Sequence, residues 1–173
     1  MSFRNRLRAI FLIFITVIII SSCSNKKDDL IFLETFTKNS VTVSIYLSTL
    51  PDGTNVLLAD FVPEEGLHLY SKDIPRNGVN GLGRPALLEL TIQSQMKVAG
   101  ELSESVAAQI PDFEPKDLLV YPAGNVQLSL PVTLPVGKGW VNDEVSVTYM
   151  ACSDIGCKAP VVDQIISVRI PSQ

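Results

Sequence analysis

Val41-Thr-Val-Ser-Ile-Tyr-Leu47 places an apolar side chain at every second position, and Pro51-Asp-Gly53 then leads into Val56-Leu-Leu-Ala-Asp-Phe61. Period-two alternation marks a strand with one buried face, because successive side chains of a pleated backbone point to opposite sides. Pro, Asp and Gly in succession form a turn, so the two runs are expected to pair as a hairpin. Further strands are expected over 86–92, 126–134, 144–150 and 164–170, separated by connections containing Gly and Pro. No long helical pattern competes with them. Residues 101–110 read either as a short helix closed by Pro111 and Pro115 or as an extended crossing segment. Eleven prolines, many short strands and no internal repeat give an all-β class, an immunoglobulin-like antiparallel β-sandwich.

Upstream, Arg4, Arg6 and Arg8 precede a nearly unbroken apolar run over 9–20, followed by Ser21, Ser22 and Cys23. That order is a secretory signal and not a fold element. Ile20-Ser21-Ser22-Cys23 resembles a bacterial lipobox, in which the cysteine is diacylated on sulfur, the chain is cut before it and the new amino group is acylated. Residues 1–22 are then a lipoprotein signal peptide, Cys23 is the lipidated first residue, 23–34 is a lipid-anchored tether and 35–173 is the domain. Several acyl chains, at about 0.8 kcal/mol per buried methylene, hold a protein on a membrane far more firmly than one. The alternative is an uncleaved transmembrane helix. Both put the domain on the bacterial cell envelope, facing the periplasm or the exterior.

Of 14 basic and 18 acidic residues, three arginines belong to the signal, which leaves 11 against 18 and a net charge of −7 with His68 neutral. An acidic domain of this size is no nucleic-acid binder. Its length suffices for one continuous core without metals or multiple disulfides.

The remaining two cysteines stand in Tyr149-Met-Ala-Cys152-Ser-Asp-Ile-Gly-Cys157-Lys-Ala-Pro160, where an alternating strand runs into a turn. In an oxidising compartment two leftover thiols are expected to pair with each other. Closing so short a loop restrains the unfolded chain by only about 2 kcal/mol, against nearly 5 for a loop of a hundred residues. A redox pair is therefore a better reading than a staple. Two alternatives stay open: an immunoglobulin-like binding module with a structural disulfide, and a soft copper site of two thiolates plus Met150. His68, the only histidine, lies in Gly66-Leu-His-Leu-Tyr70-Ser71, ahead of a turn-rich stretch over 75–85. Without a second histidine it forms no conventional metal set, and it reads as part of a half-buried strand whose His68 and Tyr70 serve the following loop. Leu118-Leu-Val-Tyr-Pro-Ala-Gly124 reads as packing at a sandwich corner. No cofactor is expected.

Taken together, Tyr149-Met-Ala-Cys152, Cys157-Lys-Ala-Pro160, Leu128-Ser-Leu-Pro-Val132 and Gly66-Leu-His-Leu-Tyr70 resemble, from about Thr35 onward, the amino-terminal periplasmic domain of the DsbD thiol:disulfide interchange proteins. The resemblance implies an immunoglobulin-like domain of protein-disulfide reductase type. Its cysteine pair would take electrons from a thioredoxin-like or membrane thiol:disulfide reductase and pass them to oxidised periplasmic proteins. By position Cys152 and Cys157 are the redox pair, with Cys157 the exchange-active thiol and Cys152 its resolving partner; His68, Tyr70, Tyr149 and Asp154 are supporting candidates. A cap loop bearing an aromatic and acidic residues shields the pair in the family, and here Phe113 or Tyr121 would supply the aromatic and Asp154 the acid. The chain departs from the pattern in its four-residue spacing, where some members have five, and in Leu67, where the family has an aromatic. Neither a membrane-spanning electron channel nor a thioredoxin-like domain is legible, so electrons are expected from a separate protein.

Overall fold

The structure, a computed structural model, describes residues 29–173. The signal segment, Cys23 and the first part of the tether lie outside the described residues. Among those described there is no α-helix, and none is long and apolar enough to cross a membrane.

The hairpin expected from the alternating runs forms as β2 (Val41–Thr49) and β3 (Asn55–Pro63), paired antiparallel from Val41↔Pro63 to Thr49↔Asn55. Asp52 accepts from Thr54 N at 2.8 Å and Gly53 takes φ 91° in the connecting turn. β1 (Asp29–Lys38) lies outside β2, and β8 (Val126–Thr133) pairs with the other edge of β3. Two short strands, β6 (Lys97–Val98) and β7 (Ser103–Glu104), both pair with β8 and complete this first sheet. The second sheet has β9 (Trp140–Tyr149) between β5 (Leu87–Leu90) and β12 (Val161–Pro171). A third ribbon orders β11 (Gly156–Cys157), β10 (Ala151–Ser153) and β4 (His68–Leu69).

Every pairing among the named strands is antiparallel, and the inner faces of the two larger sheets share one core. Val43, Ile45, Leu57, Phe61 and Leu128 from the first sheet meet Leu88, Val145, Val147, Ile166 and Val168 from the second. Each such side chain contributes about 1.5–3 kcal/mol when fully buried. The architecture is the immunoglobulin-like antiparallel sandwich expected from the sequence.

One stretch differs from the reading of the sequence, and one follows an alternative that the reading left open. β1 begins at Asp29, so it reaches into the stretch 23–34 assigned to the tether. Its pairing with β2 shifts register between Phe32 and Glu34, and Ile31, Leu33 and Phe36 pack on the core while Leu30 and Phe32 face out. A bulge adds one residue and so breaks the period-two phase that identifies a strand. Residues 101–110 adopt the extended alternative, with Ser103–Glu104 on β8 and Gln109 bridged to Val120.

β1 also fixes the polarity of the domain. It starts at the end of the sandwich where the 50–54 turn and the 134–139 loop lie, and it finishes at Lys38 beside Tyr149. Ten residues of strand separate these ends by about 30 Å.

Candidate functional site

At Lys38 β9 leaves the sandwich. After Met150 the chain continues as β10, turns through Asp154-Ile155 and returns as β11, with Cys152 directly opposite Cys157 at a Cα separation of 4.0 Å and joined to it by a disulfide. On its other side Cys152 stands opposite His68. Directly opposed residues share a face, so His68, Cys152 and Cys157 form one row across the ribbon. Ser153 holds the turn, its Oγ accepting from Ile155 N at 3.4 Å and donating to Gly156 O at 3.2 Å. Lys158 N donates to Ala151 O at 2.8 Å and extends the ladder beyond the disulfide.

The two sulfurs have unlike surroundings. Cys152 is 2% exposed, whereas Cys157 is exposed. The buried Tyr70 hydroxyl donates to Cys152 Sγ at 3.0 Å and lies 3.8 Å from Cys157 Sγ. Burial raises the Tyr70 pKa, which keeps the phenol a donor at neutral pH. Tyr70 is held by bridges to Pro85 and Val120 and by Ala86 N, which donates to its carbonyl at 3.1 Å. Gly83 lies against its ring at φ 74°, where an added Cβ would meet Leu118 Cδ1 at 2.8 Å and Tyr70 Cδ2 at 3.2 Å. Only glycine fits that approach. Arg84 fastens the same loop by donating to the carbonyls of Asn77, Gly81 and Gly83.

Both cysteines line a cavity of about 760 Å³ whose apolar wall includes Leu82, Phe113, Leu118, Met150, Ile155 and Pro160. Asp154 and Glu114 supply carboxylates at the same cavity. On the far side of the hairpin, Glu64, Glu65 and Lys158 line a second depression. The His68 ring lies 5.7 Å from Tyr70 and 6.2 Å from Phe113, and its Nε2 is buried without a protein partner. Burial lowers the His68 pKa, with Asp154 opposing the shift. Below the ordinary value of about 6.5 the unfolded chain therefore takes up a proton that the folded form resists. The associated stability is complete above that value and is lost as pH falls from it through the lowered folded pKa. Denaturant midpoints measured at about pH 7.5 and about pH 5.5 are expected to fall less in His68→Gln than in the parent; equal falls would remove His68 from the account.

Of the residues singled out in the sequence, Cys152, Cys157, His68, Tyr70 and Asp154 come together at this cavity. Tyr149 does not. It is fully buried, packs edge-on against Phe61 at 5.7 Å and donates to Lys38 O at 2.9 Å, and burial pushes its pKa up to about 12. Its place is the joint between sandwich and cysteine hairpin. Of the two aromatics considered for a cap, Phe113 lines the cavity, whereas Tyr121 is a core residue whose hydroxyl accepts from Lys72 N at 3.1 Å. Gly83, Leu82 and Arg84 were not legible as site residues; the sequence signalled only a turn-rich loop. Among the described residues no group of three His, Cys, Asp or Glu side chains is placed to hold a metal.

No family model matches the sequence, and no curated protein matches it. Among solved structures the chain is similar to the amino-terminal domain of DsbD from Neisseria meningitidis in its reduced form, with 15% identity and a TM-score of 0.43 over 82% of this chain and 90% of that one.

Proposed function

We propose that the chain is an extracytoplasmic thiol:disulfide exchange domain, lipid-anchored through Cys23. It relays electrons from a thioredoxin-like or membrane reductase to oxidised envelope proteins. The observation that carries this reading is the disulfide between one exposed and one buried sulfur, beside an apolar cavity and with a phenol donating to the buried sulfur. The Tyr149-Met-Ala-Cys152 and Cys157-Lys-Ala-Pro160 motifs, which resemble those of DsbD amino-terminal domains, agree with it.

A donor thiolate attacks Cys157 Sγ, the Cys152–Cys157 bond breaks, and Cys152 leaves with the electron pair. Tyr70 Oη–H, already directed at Cys152 Sγ, stabilises that thiolate. The donor's second thiolate then attacks its own sulfur in the mixed disulfide and releases Cys157. The donor is oxidised to a disulfide and the pair is reduced to a dithiol by two electrons and two protons. With an oxidised acceptor the steps reverse. The Cys157 thiolate opens the acceptor disulfide, and Cys152 then attacks Cys157 Sγ and discharges the acceptor as a dithiol.

A hydrogen bond to a charged group contributes about 1.5–3 kcal/mol, so Tyr70→Phe is expected to slow reduction by a thioredoxin-like dithiol at least about tenfold. Unchanged stopped-flow rates would take Tyr70 out of the chemistry. The reading as a whole is tested by equilibrating the protein with dithiol buffers and donors. Exchange requires a reduction potential above about −300 mV and rapid reduction by a thioredoxin-like donor, whereas a structural disulfide resists both.

A further inference from the structure

The end of the sandwich opposite the disulfide has a different surface. Leu30 at the start of β1, Val136 in the 134–139 loop and Trp140 at the start of β9 are all exposed there, Val136 by 99% and Trp140 by 50%. Lys97, Lys138 and Arg169 stand at the same end, with the Arg169 guanidinium 6.0 Å from the Trp140 ring. On its side away from that end, Arg169 also shares a depression with Glu34 and Glu144. The acid of the adjacent turn, Asp52, has its carboxylate turned onto Thr54 N. The disulfide end carries Glu64, Glu65, Glu114 and Asp154 together with Arg84 and Lys158.

An exposed indole and aliphatic side chains ringed by basic residues match the border of a bilayer, where tryptophan rings lie at headgroup level and cations meet anionic lipid. The route of the chain brings this end to the membrane. Only residues 24–28 separate Cys23 from Asp29, and fully extended they span about 20 Å, less than the strand they lead into. We infer that this end of the domain seats on the lipid interface, with Trp140, Val136 and Leu30 at the bilayer border and Lys97, Lys138 and Arg169 on anionic headgroups. The disulfide then faces away from the membrane. The inference rests on the attachment of the amino terminus, and it holds whether acyl chains on Cys23 or an uncleaved apolar helix provides it.

Trp140 is the only tryptophan, so its fluorescence reports the contact directly. The full chain, purified from bacterial membranes, is reconstituted into vesicles of phosphatidylglycerol and brominated phosphatidylcholine and compared with the same chain in detergent. Quenching of Trp140 by the brominated lipid and an about twofold loss of acrylamide quenching are expected, as for an indole at headgroup level. Val136→Asp, at a fully exposed position, is expected to restore access to acrylamide. A chain that co-sediments with vesicles yet leaves Trp140 unquenched by bromine overturns the seating while the anchor stands. Protection from acrylamide without bromine quenching assigns this end to a protein or a second copy and likewise overturns it. A chain that does not co-sediment overturns the attachment and the seating together.

Discussion

Cys152→Ser is expected to accumulate a mixed disulfide with a partner through Cys157, and Cys157→Ser to accumulate none. The difference follows from access. Cys157 is exposed on the outer strand of the ribbon, whereas Cys152 is 2% exposed, flanked by β4 and covered by Tyr70. Exchange needs a thiolate to reach a sulfur along the line of the bond it breaks, and only Cys157 presents such a line to another protein. In the parent the second thiol ends any mixed disulfide quickly, because its register partner lies 4.0 Å away between Cα atoms and competes intramolecularly. Removing Cys152 removes that competitor, so the intermediate persists. Capture in the bacterial envelope followed by mass spectrometry checks this, and alkylation of the reduced parent provides a second reading in which Cys157 labels first. Equal capture by the two variants would mean that the buried position of Cys152 does not govern exchange.

Phe61→Ala is expected to cost about 3–5 kcal/mol of folding stability, a large fraction of the total for a domain of this size. Phe61 is fully buried on β3, opposite Val43 and Val126 in the ladders on either side, and its ring packs edge-on against Tyr149. Deleting the ring loses its transfer free energy and leaves a void, since neighbours fixed in two strand ladders relax only in part. The void lies beside the last residue of β9, so the cysteine hairpin loses its support. Urea denaturation gives the stability, and the alkylation rate of Cys152 in the reduced variant gives the local effect. Phe61→Leu, which refills much of the space, is expected to fall well short of that loss. A stability change near zero for Phe61→Ala would contradict the placement of this ring in the core.

The hairpin over β2 and β3 was legible because one face is buried and the other solvated, which is the condition under which alternation appears. The cysteine pair was legible from its spacing. β1 was hidden by its bulge. β9 alternates in sequence yet is buried on both faces from Val145 to Tyr149, so Ser146 and Thr148 give no outward sign that they lie between strands. Thr148 finds its partner in Asp163, whose N–H donates to it at 3.0 Å across a bulge in β12. Tyr149 looked like a site residue because it neighbours the cysteines in sequence, but strand parity directs it inward to Phe61. Tyr121 and Phe113 were indistinguishable as cap candidates, because the choice depends on how the segment over 111–121 crosses the ribbon and not on composition. The Gly83 contact with Tyr70 is a long-range packing fact that no local pattern carries.

The hairpin carrying the disulfide is closed by its own backbone. Ser153 pairs with Gly156, and Lys158 N reaches Ala151 O, independently of the sulfur bridge. These backbone contacts do not depend on the sulfur bridge, so the ladder is expected to hold both thiols in place when the bridge is opened. In the relay proposed above, a pair held this way would offer donor and acceptor the same outline in both states, and a ligand can shift only an equilibrium between states that it tells apart. Proposed partners would then read the chemical state and not the shape, and their own potentials would set the direction of exchange.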